Sequence, residues 1–146
     1  MGKFEKNLGF LITDIGRGLK LLFDTKMKPY GLTRSQWFLL AYVNREEGIT
    51  QTKLAELLEI GKGSVGGLID RMEAAGLVIR TSDPKDRRVY LIYLTDTAKS
   101  IVADIMVLSG KLNEASLKSI SKKDRDKFIE ILQIIKMNLA ELNNNF

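Results

Sequence analysis

The chain has 146 residues, 45% of them apolar and 28% charged, with a formal net charge of +5; that places it among soluble globular domains able to bury a core and excludes disordered and fibrous classes. It contains neither cysteine nor histidine, which removes disulfides, thiol redox chemistry, the usual zinc ligands and the commonest general acid–base group. No metal or cofactor is expected, and the lack of cysteine fits a cytoplasmic location. The cation excess suits a polyanionic partner, but it is uneven: residues 1–30 carry six basic and three acidic groups, residues 31–110 ten of each, and residues 111–146 seven and five. Any nucleic-acid contact in the central segment must come from local placement of cations. Lys3 precedes an apolar run at residues 9–12, which Asp14, Arg17 and Lys20 soon interrupt, so neither a signal peptide nor a membrane span is expected.

Phe4, Leu8, Ile12, Ile15, Leu19 and Leu22 recur by threes and fours and predict an amphipathic first helix. Pro29 and Gly31 end it. Thr33 and Gln36 have capping-box spacing and open a second helix through residue 43. Glu47-Gly48 stops that helix, and Ile49 adds a short extended bridge. Thr50 caps a third helix, Gln51–Leu58, with Leu54, Leu57 and Leu58 inward. After a break at residues 59–61, a fourth helix over 62–75 turns Val65, Leu68, Ile69 and Met72 to the core, and Gly76 occupies its C-terminal cap. Residues 77–81 and 89–94, rich in β-branched and aromatic side chains, flank Asp83-Pro84 and predict a hairpin. Thr95-Asp96 starts a long fifth helix striped by Ala98, Ile101, Ile105, Leu108, Leu112 and Ala115. Ser121 and Asp124 form a variant capping box for a last helix carrying Phe128, Leu132, Ile135, Leu139 and Leu142, and residues 143–146 fray. The fold class expected is mainly α with a small β-wing: six helices and a two-to-three-stranded antiparallel sheet.

The third and fourth helices have the form of a helix-turn-helix, whose second helix can enter a major groove. Ala55, Val65 and Leu68 take the small and packing positions, while Glu59 stands where a turn glycine is common. The hairpin tip carries Lys85, Arg87 and Arg88 around Asp86. Asp70-Arg71 reads as a pair within the protein rather than a base reader.

In one order, the chain shows Leu54-Ala55-Glu56-Leu57-Leu58, then Leu68-Ile69-Asp70-Arg71-Met72-Glu73-Ala74-Ala75-Gly76-Leu77-Val78, then Asp83-Pro84-Lys85-Asp86-Arg87-Arg88 and Leu91-Ile92-Tyr93-Leu94-Thr95. It thereby resembles the winged-helix regulators of the MarR family over essentially its whole length. The resemblance implies a single MarR-like domain over 1–146, with a DNA-binding lobe at 33–95 and a helical dimerisation region at 1–30 and 96–146. It further implies that Arg88 reaches into a minor groove while Asp86 braces it by a charge-assisted hydrogen bond, consistent with the negative potential of narrow grooves. Lys85 and Arg87 read as phosphate contacts.

The fourth helix departs from the family habit, with Gly63, Gly66 and Gly67 where polar or basic residues are frequent. Two readings stand: close backbone approach to DNA with Lys62 and Ser64 making the contacts, or little base readout with specificity from DNA shape. Trp37 reads as core packing or as part of an effector site. Arg17 and Arg34 read as partners of an effector carboxylate or as a solvated helix face. The expected whole is a homodimeric repressor that binds inverted-repeat double-stranded DNA and is released by a small aromatic or lipophilic effector. A winged-helix protein-contact module, such as an anti-repressor, is the alternative. An enzyme has little support without His, Cys or a phosphate-cradling glycine motif.

Overall fold

The computed structural model describes residues 6–144; Lys3 and Phe4 of the expected first segment, and residues 145–146 of the expected frayed end, lie outside this range. The chain divides into two compact units at Asp104/Ile105.

In the first unit, Asn7 caps α1 (Leu8–Met27) by accepting from the backbone of Gly9 and Phe10. A single 3-10 turn, Lys28–Tyr30, follows, with Pro29 in its first turn and Gly31 leaving at φ +63°. Thr33 and Gln36 form the full capping box of α2 (Arg34–Arg45), which runs two residues beyond its expected end before Glu46 leaves helical geometry. The bridge is a two-residue strand, β1 (Ile49–Thr50). Thr50 caps α3 (Gln51–Leu58) by accepting from Lys53, and α4 (Lys62–Ala74) follows Gly61.

The hairpin strands are β2 (Val78–Ser82) and β3 (Tyr90–Leu94), each starting one residue later than the composition suggests. The cause is competition for backbone donors. The Leu77 N–H closes α4 by bonding Met72 O at 2.9 Å, and the Val89 N–H bonds Asp86 O at 2.9 Å inside the loop. Neither donor is left for the ladder. The sheet is antiparallel in the order β1-β3-β2, pairing Ile49 with Ile92 and Val78 with Leu94. Gly48, at φ +78°, donates to Ile92 O, and a Cβ there would meet the Tyr93 hydroxyl at 2.9 Å.

The core gathers Leu39, Leu40 and Val43 of α2, Ile49, Leu54 of α3, the expected four residues of α4, and Ile92 and Leu94 of β3. Burying such a side chain contributes about 1.5–3 kcal/mol. Ala55 is buried where Leu57 and Leu58 were expected; those two are half-buried. On a helix of two turns the inward face is narrow, and both leucines fall at its rim beside Phe38 and Tyr42.

The second unit contains the C-terminal part of α5 (Asp96–Ser116) and α6 (Lys122–Asn144). The Ser121 Oγ accepts from Asp124 N at 3.2 Å and donates to its carboxylate at 2.6 Å, so the reciprocal half of the expected box runs through the hydroxyl. Arg125 joins the two helices by bonding Glu114 and the carbonyls of Leu117 and Ile120. No α6 side chain is fully buried: Phe128, Leu139 and Leu142 are exposed, Leu132 and Ile135 half-buried.

Both helices of the helix-turn-helix end on a left-handed residue, but only one is glycine. Gly76 sits at φ +71° with open space around its Cβ position, whereas Glu59 adopts φ +54°. Left-handed geometry costs a side-chain-bearing residue about 1–2 kcal/mol. Gly76→Ala is therefore expected to lower, and Glu59→Gly to raise, unfolding free energy by about 1 kcal/mol each. Urea denaturation followed by circular dichroism checks both signs.

Candidate nucleic-acid interface

The turn between α3 and α4 is closed by Ile60 N–H bonding Ala55 O and Glu59 N–H bonding Glu56 O, both at 3.1 Å. This leaves the start of α4 unobstructed. Lys62, Gly63 and Ser64 are exposed, and Gly66 and Gly67 are half-exposed. A Cβ would meet nothing within 4 Å at Gly63, Arg71 at 3.6 Å at Gly67, and the Gln51 amide at 3.4 Å at Gly66. Intramolecular packing thus tolerates a side chain at all three positions. Each glycine inside a helix costs roughly 0.8–1 kcal/mol against alanine, so the protein itself supplies no reason for them.

The wing loop is organised by its two aspartates. The Asp83 N–H bonds Val89 O at 2.8 Å, and its carboxylate accepts from Lys85 N at 2.7 Å. One Asp86 carboxylate oxygen accepts from Arg88 N at 3.1 Å and Arg88 Nε at 3.0 Å, while the other accepts from Arg88 Nη2 at 3.1 Å. The two-pronged contact fixes the guanidinium plane. Even so, the Arg88 side chain is 90% exposed, so the brace orients the cation without covering it. The fork holds the Asp86 carboxyl below its ordinary value, the Arg88 side-chain contact acting first and its backbone N–H second. Asp86 in turn raises the Arg88 guanidinium.

Lys62 and Arg88 share a cleft of about 140 Å³ with Gln51, Thr52, Val65, Val89 and Tyr90, where the starts of α3 and α4 face the wing. Lys85 and Arg87 are exposed in the same loop but do not line it. Gln51, Thr52 and Tyr90 were not singled out from sequence, because their place beside the wing depends on the pairing of β1 with β3.

The model of the MarR family matches residues 30–89, from the end of the 3-10 turn to the last residue before β3. A solved MarR transcriptional regulator from Methanosarcina mazei Go1 superposes with a TM-score of 0.81 at 29% identity, covering 92% of this chain and 97% of that one. Over residues 30–89 the chain is similar to the MarR family. Its members are transcriptional regulators, not enzymes. The HTH-type transcriptional regulator BilQ of Clostridioides difficile (strain CD3) is 24% identical over 131 residues, which cover 90% of this chain and 88% of the relative. The S. aureus MepR–DNA complex shares the fold, with a TM-score of 0.79 at 21% identity over 92% of this chain and 98% of that one.

Among the described residues the sheet is small and the helices dominate, and no helix is long and apolar enough to cross a membrane. Of the three residues weighed as effector contacts, Arg34 and Trp37 both lie on α2 and are linked through the Phe38 and Phe23 rings, 6.4 Å apart, while Arg17 lies on α1. Trp37 is 6% exposed and packs against Phe23, with ring centroids 6.2 Å apart. Arg17 is solvent-facing and paired with Asp14 at 3.5 Å. Arg34 lies over the Phe38 ring and lines a separate cleft of about 440 Å³ with Ser35, Tyr42, Leu57, Leu58 and Glu59. Asp70 pairs with Arg80 rather than with its neighbour Arg71, because consecutive helical residues do not face each other.

Because its pKa is lowered in the folded state, Asp86 contributes stability that is present above the ordinary carboxylate value of 3.8 and is lost as pH falls through the depressed one. A carbon-detected NMR titration is expected to give Asp86 a midpoint below 3.8, returning toward that value in Arg88→Ala. An unshifted midpoint in the parent protein would mean the fork does not form.

Proposed function

We propose that this chain is a MarR-family regulator, a homodimeric repressor that binds inverted-repeat DNA and is released by a small aromatic or lipophilic effector. The observation that carries the reading is the braced, solvent-exposed Arg88 sharing a cleft with Lys62 at the open start of α4. In this reading α4 lies in a major groove and Arg88 enters the adjacent minor groove. Lys62 and Ser64 contact the duplex, and Gly63, Gly66 and Gly67 allow the helix backbone to approach it. Lys85 and Arg87 hold phosphates, with Asp86 as the brace. That MepR has been solved with DNA supports this use of the shared fold. Residues 33–95 form the DNA lobe, and 1–30 with 96–146 the dimerisation region.

Dimerisation is supported by apolar residues the single chain leaves uncovered: Leu8, Ile12, Ile15 and Leu19 on α1, and Ile131, Ile134 and Met137 on α6, all exposed. For the effector, Arg34 and the Phe38 and Tyr42 rings, 6.3 Å apart, offer a cation beside apolar surface that suits an aromatic carboxylate. Release is a population shift: the effector favours a lobe spacing that does not fit the operator.

Arg88→Ala is expected to weaken binding to a selected palindromic duplex by roughly 1–3 kcal/mol in anisotropy titrations. Log affinity should fall by about 0.9 per phosphate neutralised for each unit of log salt. Unchanged affinity in the variant would remove the wing from the mechanism, and a flat salt profile would favour the protein-contact alternative. Ile15→Glu with Leu19→Glu is expected to halve the solution mass measured by sedimentation equilibrium, since burying two carboxylates opposes association; an unchanged mass removes α1 from the dimer.

A further inference from the structure

Strand β2 places its side chains the wrong way round for a hydrophobic alternation. Val78 is buried, yet Ile79 is 48% exposed and Arg80 turns inward, its side chain only 20% exposed. Arg80 pairs across the ladder with the fully buried Ile92. It reaches α4, where its Nη2 donates to the Asp70 carboxylate, and its backbone N–H donates to Glu73 Oε1 at 3.3 Å. Its guanidinium also lies 5.6 Å from the centre of the Tyr90 ring on β3. One side chain therefore touches the recognition helix and both wing strands.

This position is expensive. Arg80 Nε is shut from solvent with no acceptor among the described residues, a penalty an apolar residue would not carry. The Asp70 carboxylate is 65% exposed, so the pair returns little net stability. What an ion pair of this kind does provide is a fixed register between the elements that hold it.

We infer that Arg80, with Asp70 and Glu73, is a positioning latch that sets the wing against α4 and thereby the span between the start of α4 and the Arg88 tip. The inference builds on the DNA-binding reading, because that span decides whether helix and wing reach two adjacent grooves together. Arg80 itself touches no DNA; it acts through Arg88 and Lys62.

The absence of native cysteine allows Ser64→Cys and Lys85→Cys to carry a clean pair of spin labels. In DNA-free protein, diluted with unlabelled chain so that each pair reports one protomer, the latch predicts a narrow distance distribution. Arg80→Met, which keeps the bulk and removes the charge, should broaden it, and Arg80→Lys should restore it in part. Asp70→Asn breaks the same pair from the exposed side and should broaden it too, which keeps the test available should Arg80→Met fail to fold. In chains with Ser64 and Lys85 intact, Arg80→Met should lower the affinity ratio between a selected palindromic duplex and a scrambled one by about tenfold, with the salt slope unchanged. A lost phosphate contact would instead weaken both duplexes alike and reduce the slope by about 1. A distribution in Arg80→Met or Asp70→Asn as narrow as in the parent overturns the latch, as does a reduced slope. Should the parent bind no duplex while the distances behave as described, the DNA-binding reading fails and the latch stands.

Discussion

β3 is the strand on which the first unit depends. It is the middle strand of the sheet, pairing with β1 on one edge and β2 on the other. β1 is only two residues long and runs directly into α3, so its pairing with β3 ties the start of α3 to the wing. Ile92, fully buried at the crossing of both ladders, supplies the apolar contact at that junction. Two-stranded ribbons are marginal alone; here the third strand and the helices behind it hold the ribbon in place. The geometry of the wing tip can then be set locally, by two aspartates that satisfy loop donors, because its base is already fixed.

Much of this was legible in the sequence because local rules and packing agree. The capping box at Thr33 and Gln36, the cap at Thr50, the left-handed glycine at 76 and the inward face of α4 each follow from short-range chemistry. The Asp86–Arg88 fork was expected from the family resemblance, and the structure supplies its local cause: the aspartate two residues before the arginine reaches both its backbone and its side chain. Strand starts slipped by a residue where a neighbouring turn claimed the backbone donor, a competition that composition does not reveal. Leu57 and Leu58 looked like core because leucine usually is, but the helix that carries them is too short to bury them as well as Leu54 and Ala55.

Arg80 was not legible at all. In the sequence, Leu77, Ile79 and the following Thr81 suggest one apolar side, and nothing marks the arginine between them as the residue that turns inward. Its orientation depends on the ladder register and on Asp70 and Glu73 one helix away, which are tertiary facts. Asp70 was expected to have a partner inside the protein, but the adjacent Arg71 drew the attention that belonged to a residue ten positions on. The effector contacts weighed from the sequence show the same limit: Arg34 borders a cleft, while Trp37 is buried against Phe23 and Arg17 faces solvent beside Asp14.

The central segment carries as many carboxylates as cations, so its pull on a distant duplex is slight, and its charged tip acts chiefly at touching distance. A regulator built this way gains little from mere proximity to nucleic acid.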